Sequence, residues 1–104
     1  MNESDIFRAL ADPTRRTLFE RLMAGQMNAT QLREGLAISQ PAVSQHIGVL
    51  RGAGLIREER DGRHVNYSID PDGLVPLLDW LERYRAFWPS RVERLKTLLK
   101  EMDQ

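Results

Sequence analysis

Residues Ser39 to Leu55, SQPAVSQHIGVLRGAGL, admit few structures. Ser39 is suited to cap a helix, and Pro41 falls inside the first turn, where its missing N–H costs little. Ile38 before the cap and Val43 after it stand at the two positions of a hydrophobic staple. Val43, Ile47 and Leu50 recur at helical spacing and predict one buried stripe. Gln40, Ser44, Gln45, Gly48 and Arg51 fall on the other side and include no acid. Gly52 and Gly54 then offer the left-handed stop that ends a helix. A second helix is predicted upstream, from Ala29 to Gly35, with Asn28 as cap and Gln31 completing a capping box. Two short helices joined by a three- or four-residue turn, the second with an amide-rich face, make a helix-turn-helix. Helical hairpins also occur in proteins that never touch DNA, so this pair alone leaves both readings open.

The flanking segments narrow the choice. Glu3 to Ala11 reads as a short helix with Ile6, Phe7 and Leu10 as its apolar side. Asp12-Pro13 is a helix start, and the helix it opens is expected to run to about Ala24 and to bury Leu18, Phe19, Leu22 and Met23. Arg15 and Arg16 lie at its start. They make either a solvated face or a phosphate contact beside the reading helix. After Gly54 the period changes to two, and Ile56, Val65, Tyr67 and Ile69 share one face of a predicted hairpin. With Asp61-Gly62 as a type I′ turn, Arg60 and Arg63 would oppose each other and His64 would face Glu59. Opposed like charges destabilise a hairpin, so an anion such as a DNA phosphate would relieve the pair. Alternatively Glu58, Glu59 and Asp61 neutralise the tip without a partner.

The last third is helical. Leu74, Leu77, Leu81, Tyr84 and Trp88 step by three and four, and Val92, Leu95, Leu99 and Met102 resume the pattern after a four-residue jump that contains Pro89. The proline predicts a kink or break there. With 104 residues the chain reads as one domain, 1–104, whose core is too small to stand generously alone. A twofold partner is therefore expected along the seam of 71–104, with Leu77, Leu81, Tyr84, Trp88, Leu95 and Leu99 as dimerisation residues. Trp80, Tyr84, Phe87 and Trp88 could instead line a pocket for an aromatic or apolar effector, although aromatics at this spacing more often form core or interface.

Charge and composition exclude several classes. Fifteen basic residues balance fifteen acidic ones, which gives no overall basic footprint. Yet from Gly35 through Arg57 there is no Asp or Glu, while His46, Arg51 and Arg57 are present. The absence of cysteine removes disulfides and thiolate metal sites. No apolar run approaches a membrane span and no signal-peptide pattern opens the chain, so a soluble, cytoplasmic protein is expected, without membrane contact. Ser39 and Ser44 lack a plausible base and orienting acid, and no phosphate loop is present, so no enzyme is read here.

Three stretches together, ALADPTRR (Ala9 to Arg16), ISQPAVSQHIGVLRGAGLI (Ile38 to Ile56) and RDGRHVNYSI (Arg60 to Ile69), resemble the ArsR-type winged helix-turn-helix repressors of prokaryotes. The resemblance covers nearly the whole chain and keeps the family's order. It implies a mostly α fold of about five or six helices with a two-stranded wing at Arg57–Ile69. It also implies a homodimer on the first and last helices, which adds Ile6 and Leu10 to the dimerisation residues, and repression through a pseudopalindromic operator on double-stranded DNA read by Ser39–Leu50. The DNA contacts expected are Gln40, Ser44, Gln45, Arg51, Arg60, Arg63 and His64, with Arg15 and Arg16 beside them. The aromatic tail around RYRAFW (Arg83 to Trp88) is similar to the subgroup without metal ligands.

Departures from the family pattern qualify that reading. Metal-sensing members carry Cys-x-Cys where Asn28 and Thr30 stand here, and others use last-helix His and Asp. The only histidines are His46 and His64, so no metal or other cofactor is expected, and His46 reads as a packing or hydrogen-bonding residue. Gly48 replaces a frequent lysine and Gly52 a frequent glutamate, which predicts modest DNA affinity resting on Arg51, Arg63 and the flanking arginines. The competing function is a winged-helix interaction module with little or no specific DNA binding, which the zero net charge and the two helix glycines would suit.

Overall fold

Four helices begin at side chains that satisfy their own first N–H groups. Asn2, Asp12, Asn28 and Ser39 accept from the backbone N–H of Asp5, Arg15, Gln31 and Ala42, at 3.0, 3.0, 2.8 and 3.2 Å. Asn2 and Asn28 form full capping boxes, because Asp5 and Gln31 reach back to the cap N–H. Each cap contributes typically about 1 kcal/mol. The structure is a computed structural model and describes residues 2–87 and 90–102. Its elements are α1 (Glu3–Ala11), α2 (Pro13–Arg21) with a 3₁₀ turn (Leu22–Ala24), α3 (Ala29–Arg33), α4 (Gln40–Gly52), β1 (Ile56–Asp61), β2 (His64–Ile69), α5 (Val75–Arg83), a 3₁₀ turn (Arg85–Phe87) and α6 (Ser90–Met102). Six helices and one antiparallel hairpin form the winged helix-turn-helix that the sequence predicts.

The core is built where the helix-turn-helix meets the first strand. Val43, Ile47 and Leu50 of α4 are buried with Ile6 and Ala9 of α1, Leu18 and Phe19 of α2 and Leu32 of α3, and Leu55 and Ile56 continue the cluster into the wing. α4 runs through Gly52, one turn position further than expected, and stops at Gly54, whose φ is +78°. Gly54 N–H donates to Arg51 O at 2.9 Å and Leu55 N–H to Leu50 O at 3.1 Å, which is a Schellman closure. Leu50 and Leu55, fully buried, supply the apolar contact that accompanies it.

The turn between α3 and α4 is longer than predicted, because α3 ends at Arg33 and not at Gly35. Two arginines hold it. Arg21 donates to the carbonyls of Leu32 and Glu34 at 2.9 and 2.6 Å, and Arg33 Nε donates to Ile38 O at 2.7 Å. Met23 does not join the core; it is 67% exposed, since the 3₁₀ turn after α2 rotates it outward.

The wing corrects the predicted register. Asp61 pairs with His64 and Arg60 with Val65, so Gly62 and Arg63 are the central turn residues. Gly62 has φ +62° and no residue other than glycine has positive φ among those described, the pattern of a type II′ turn. A type I′ turn centred on Asp61-Gly62 would need positive φ at Asp61 as well. The pairing therefore shifts by two residues along β2, which preserves side-chain parity. Ile56, Val65, Tyr67 and Ile69 share the inner face as expected, but Arg60 no longer opposes Arg63 and His64 no longer faces Glu59. Met27 adds a one-residue bridge to the hairpin through paired hydrogen bonds with Tyr67 at 3.1 and 2.8 Å.

α5 lies along α1. Phe7 meets Trp80 edge to face at 5.1 Å between centroids, Trp80 meets Tyr84 at 4.8 Å, and Arg83 pairs with Glu3 at 3.2 Å. The expected break in the C-terminal seam occurs earlier than Pro89, since α5 ends at Arg83. Trp88 and Pro89 themselves lie outside the described residues.

Candidate nucleic-acid interface

α4 presents to solvent what its sequence pattern leaves over after burial. Gln40, Ser44, Gln45, Gly48 and Arg51 are all exposed, opposite the buried Val43–Ile47–Leu50 stripe. Among the described residues the side chains of Gln40, Ser44 and Gln45 form no hydrogen bond with other protein groups. Amides and hydroxyls in that state can donate to and accept from base edges in a major groove, which admits a helix of this size. The cap at Ser39, the half-buried Ile38 and the Schellman closure fix both ends of the helix.

Arg15, expected on an exposed start of α2 as a phosphate contact, is half-buried and occupied internally. Its Nε donates to Ala9 O at 2.7 Å and one terminal nitrogen to Arg8 O at 3.1 Å, at the C-terminal end of α1. Its other terminal nitrogen lies 3.4 Å from His46 Nδ1. One guanidinium thus ties α1, α2 and α4 together, and His46 has the hydrogen-bonding role the sequence suggested. Asp12 completes the group: the hydrogen bond from Arg15 N–H holds its carboxyl below the usual range, helped by the charge of Arg15 and opposed by desolvation. Arg16 is exposed and without a side-chain partner among the described residues.

The wing carries its charges on two faces. Arg60 and Glu58 share the inner face, where the Glu58 carboxylate receives Arg60 at 3.8 Å and Arg51 from α4 at 3.5 Å. Arg63 sits at the turn, and His64 lies opposite Asp61 on the outer face. Arg57, also on the outer face and exposed, has no ion pair among the described residues. It joins Arg63 as a cation free for an external anion. Its place in the acid-free stretch is legible in the sequence, but its place at the site emerges only with the wing register.

The residues expected to dimerise divide. Ile6 has 0% exposure, so it belongs to the core and offers no surface to a partner. Leu10 and Leu77 are half-buried against the same core. Leu81, Tyr84, Leu95 and Leu99 are exposed, as are Phe7 and Leu78, which the seam pattern omitted. Phe7 and Leu78 become visible only once α5 is seen to lie on α1. The aromatic rings of Phe7, Trp80, Tyr84 and Phe87 pack in sequence on one another. Among the described residues no group of three or more His, Cys, Asp or Glu is placed to hold a metal ion, and no helix is long and apolar enough to cross a membrane.

Comparison with known proteins agrees with this geometry. Residues 10–59 match a family described as a helix-turn-helix domain. The chain is 33% identical over 78 residues to the transcriptional repressor SdpR of Bacillus subtilis, covering 75% of this chain and 87% of that protein. It is 42% identical over 78 residues to the HTH-type transcriptional regulator Rv2034 of Mycobacterium tuberculosis, covering 75% and 73%. The crystal structure of an ArsR family transcriptional regulator, RHA00566, superposes with a TM-score of 0.75 at 32% identity, covering 82% of this chain and 93% of that one. By these identities, coverages and shared fold, the chain belongs to the ArsR family of winged helix-turn-helix transcriptional regulators.

Proposed function

We propose that the protein is a sequence-specific repressor that binds a pseudopalindromic operator as a homodimer in the cytoplasm. The observation that carries this reading is the exposed face of α4, where Gln40, Ser44 and Gln45 keep their hydrogen-bonding groups unpaired beside an arginine and without an acid. α4 enters the major groove, the three side chains read base edges, and Arg57 and Arg63 of the wing meet the flanking phosphates, with Arg16 as a further contact. Arg15 serves from inside, by holding α4 at its angle to α1.

A partner copy covers the apolar faces that one chain leaves in water. Leu78, Leu81, Tyr84 and Phe87 follow one another through the end of α5 and the 3₁₀ turn after it, with Phe87 78% exposed, and Leu95, Leu99 and Met102 are exposed on α6. This many large apolar side chains left in water on two helices are suited to an interface. Two copies related by a twofold axis bring two α4 helices to one side of a duplex, with half-site centres about 34–36 Å apart or a multiple of that. Selection from random-sequence duplexes tests the proposal. An enriched inverted repeat with that spacing is expected; recovery of no shared sequence would refute it.

A further inference from the structure

We infer that Glu58 restrains binding to DNA of any sequence by holding Arg51 and Arg60 away from phosphates, which leaves base contacts to supply the affinity; this rests on the DNA-binding reading above. Both arginines converge on the same carboxylate oxygen, Oε2, at 3.5 and 3.8 Å. Arg51 comes from the last turn of α4 and Arg60 from the outer half of β1, so the two cations flank the reading face on its helix side and its wing side. Glu58 is well positioned to keep them. Its side chain is 18% exposed, against 47% for Arg51 and 73% for Arg60, and it stands across from Tyr67 on the inner face of the wing.

The consequence follows from counting charges. The chain has no net charge, so its affinity for an arbitrary duplex rests on a few local arginines. When Arg51 or Arg60 turns to a phosphate it exchanges one anion for another, and the Glu58 carboxylate is left facing the duplex. The exchange gains little on a sequence that offers only phosphates. On an operator, base contacts from Gln40, Ser44 and Gln45 are added and the complex forms regardless. The carboxylate therefore lowers affinity for every duplex, and one that offers no base contacts is left with little to hold the protein.

Glu58→Gln keeps shape and hydrogen bonding but removes the charge, and Glu58→Thr is a second, strand-compatible variant. Binding of the full-length protein to a random-sequence 30-base-pair duplex is followed by fluorescence anisotropy from low to high sodium chloride, with thermal melting as a check on folding. Each phosphate contact steepens the slope of log affinity against log salt by about 0.9. Both variants should therefore bind the random duplex with a slope steeper by about 0.9 to 1.8. If the proteins converge near 1 M salt, the affinity gain at 0.05 M is about fifteenfold for one freed arginine. If variants and parent bind with the same slope, or the variants bind more weakly, Glu58 merely orients the wing and the inference is overturned. If neither the parent nor the variants bind any duplex at the lowest salt, the DNA-binding reading itself fails, a result distinct from equal slopes.

Discussion

Replacing Gly48 by alanine adds one methyl group in the middle of α4, and replacing Gly73 adds the same group in the turn before α5. The fold assigns these two changes opposite signs. At Gly48 the backbone is helical without positive φ, and a Cβ built there meets no heavy atom within 4 Å. The substitution then removes only the helix cost of glycine, about 0.8–1.0 kcal/mol, much of it conformational entropy of the unfolded chain. For a domain of this size that is a rise in Tm of about 4–8 °C. At Gly73 the new Cβ would collide with the Gly54 carbonyl oxygen and come to 3.0 Å from Leu55 Cα and 3.1 Å from Asp70 O. All three are backbone atoms, and two belong to the closure that ends α4. Something must shift, at a cost of about 1–3 kcal/mol in the range usual for overpacking. Urea and thermal unfolding of both variants at one fixed protomer concentration measure the pair, since dimerisation makes the midpoint concentration-dependent. A Gly48→Ala protein that melts below the parent, or a Gly73→Ala protein that melts with it, would refute the reasoning.

Arg15→Ala should lower stability by about 1–3 kcal/mol, because the part-buried Ala9 carbonyl and His46 lose their partner. Arg63→Ala should leave melting unchanged, weaken binding to all sequences alike and reduce the salt slope by about one; thermal melts and salt titrations separate the two arginines. Asp12, whose ordinary pKa is 3.8 and whose carboxyl is held lower in the fold, contributes stability that is fully present above that value and is lost as pH falls through the folded one. Urea unfolding from pH 7 to 3 should show that loss in the parent and a flatter acid limb in Asp12→Ala. Leu81→Glu puts a charge on an exposed apolar position of α5, and sedimentation velocity should find the protein folded but monomeric, with operator binding weakened and α4 untouched.

Much of this fold is legible in the sequence because its signals are local. The caps at Asp12, Asn28 and Ser39 are read from one residue and its third neighbour, and the α4 stripe follows from spacing alone. The wing register is not local in this sense. It depends on whether positive φ is required at one residue or two, and Gly62 can supply only one, so the pairing settles two residues further along β2. That shift moves Arg60 from a clash with Arg63 to an ion pair with Glu58. Arg15 could not be read as internal, because the Arg8 and Ala9 carbonyls and His46 are brought to it only by folding. Ile6 and Phe7 illustrate the same limit: both are apolar neighbours on α1, and only the folded packing decides that Ile6 joins the core while Phe7, against Trp80 of α5, stays 43% exposed.

The central claim is that the unpaired amide and hydroxyl groups of α4 read bases. Repeating the selection from random duplexes with Gln45→Ala and comparing the enriched sites with those of the parent tests it most directly. Loss of preference is expected at one or two positions in each half-site, symmetrically, by about 1–3 kcal/mol of discrimination, with the remaining positions and the half-site spacing unchanged. An identical base preference in the Gln45→Ala protein, or an equal loss at every position, would contradict it.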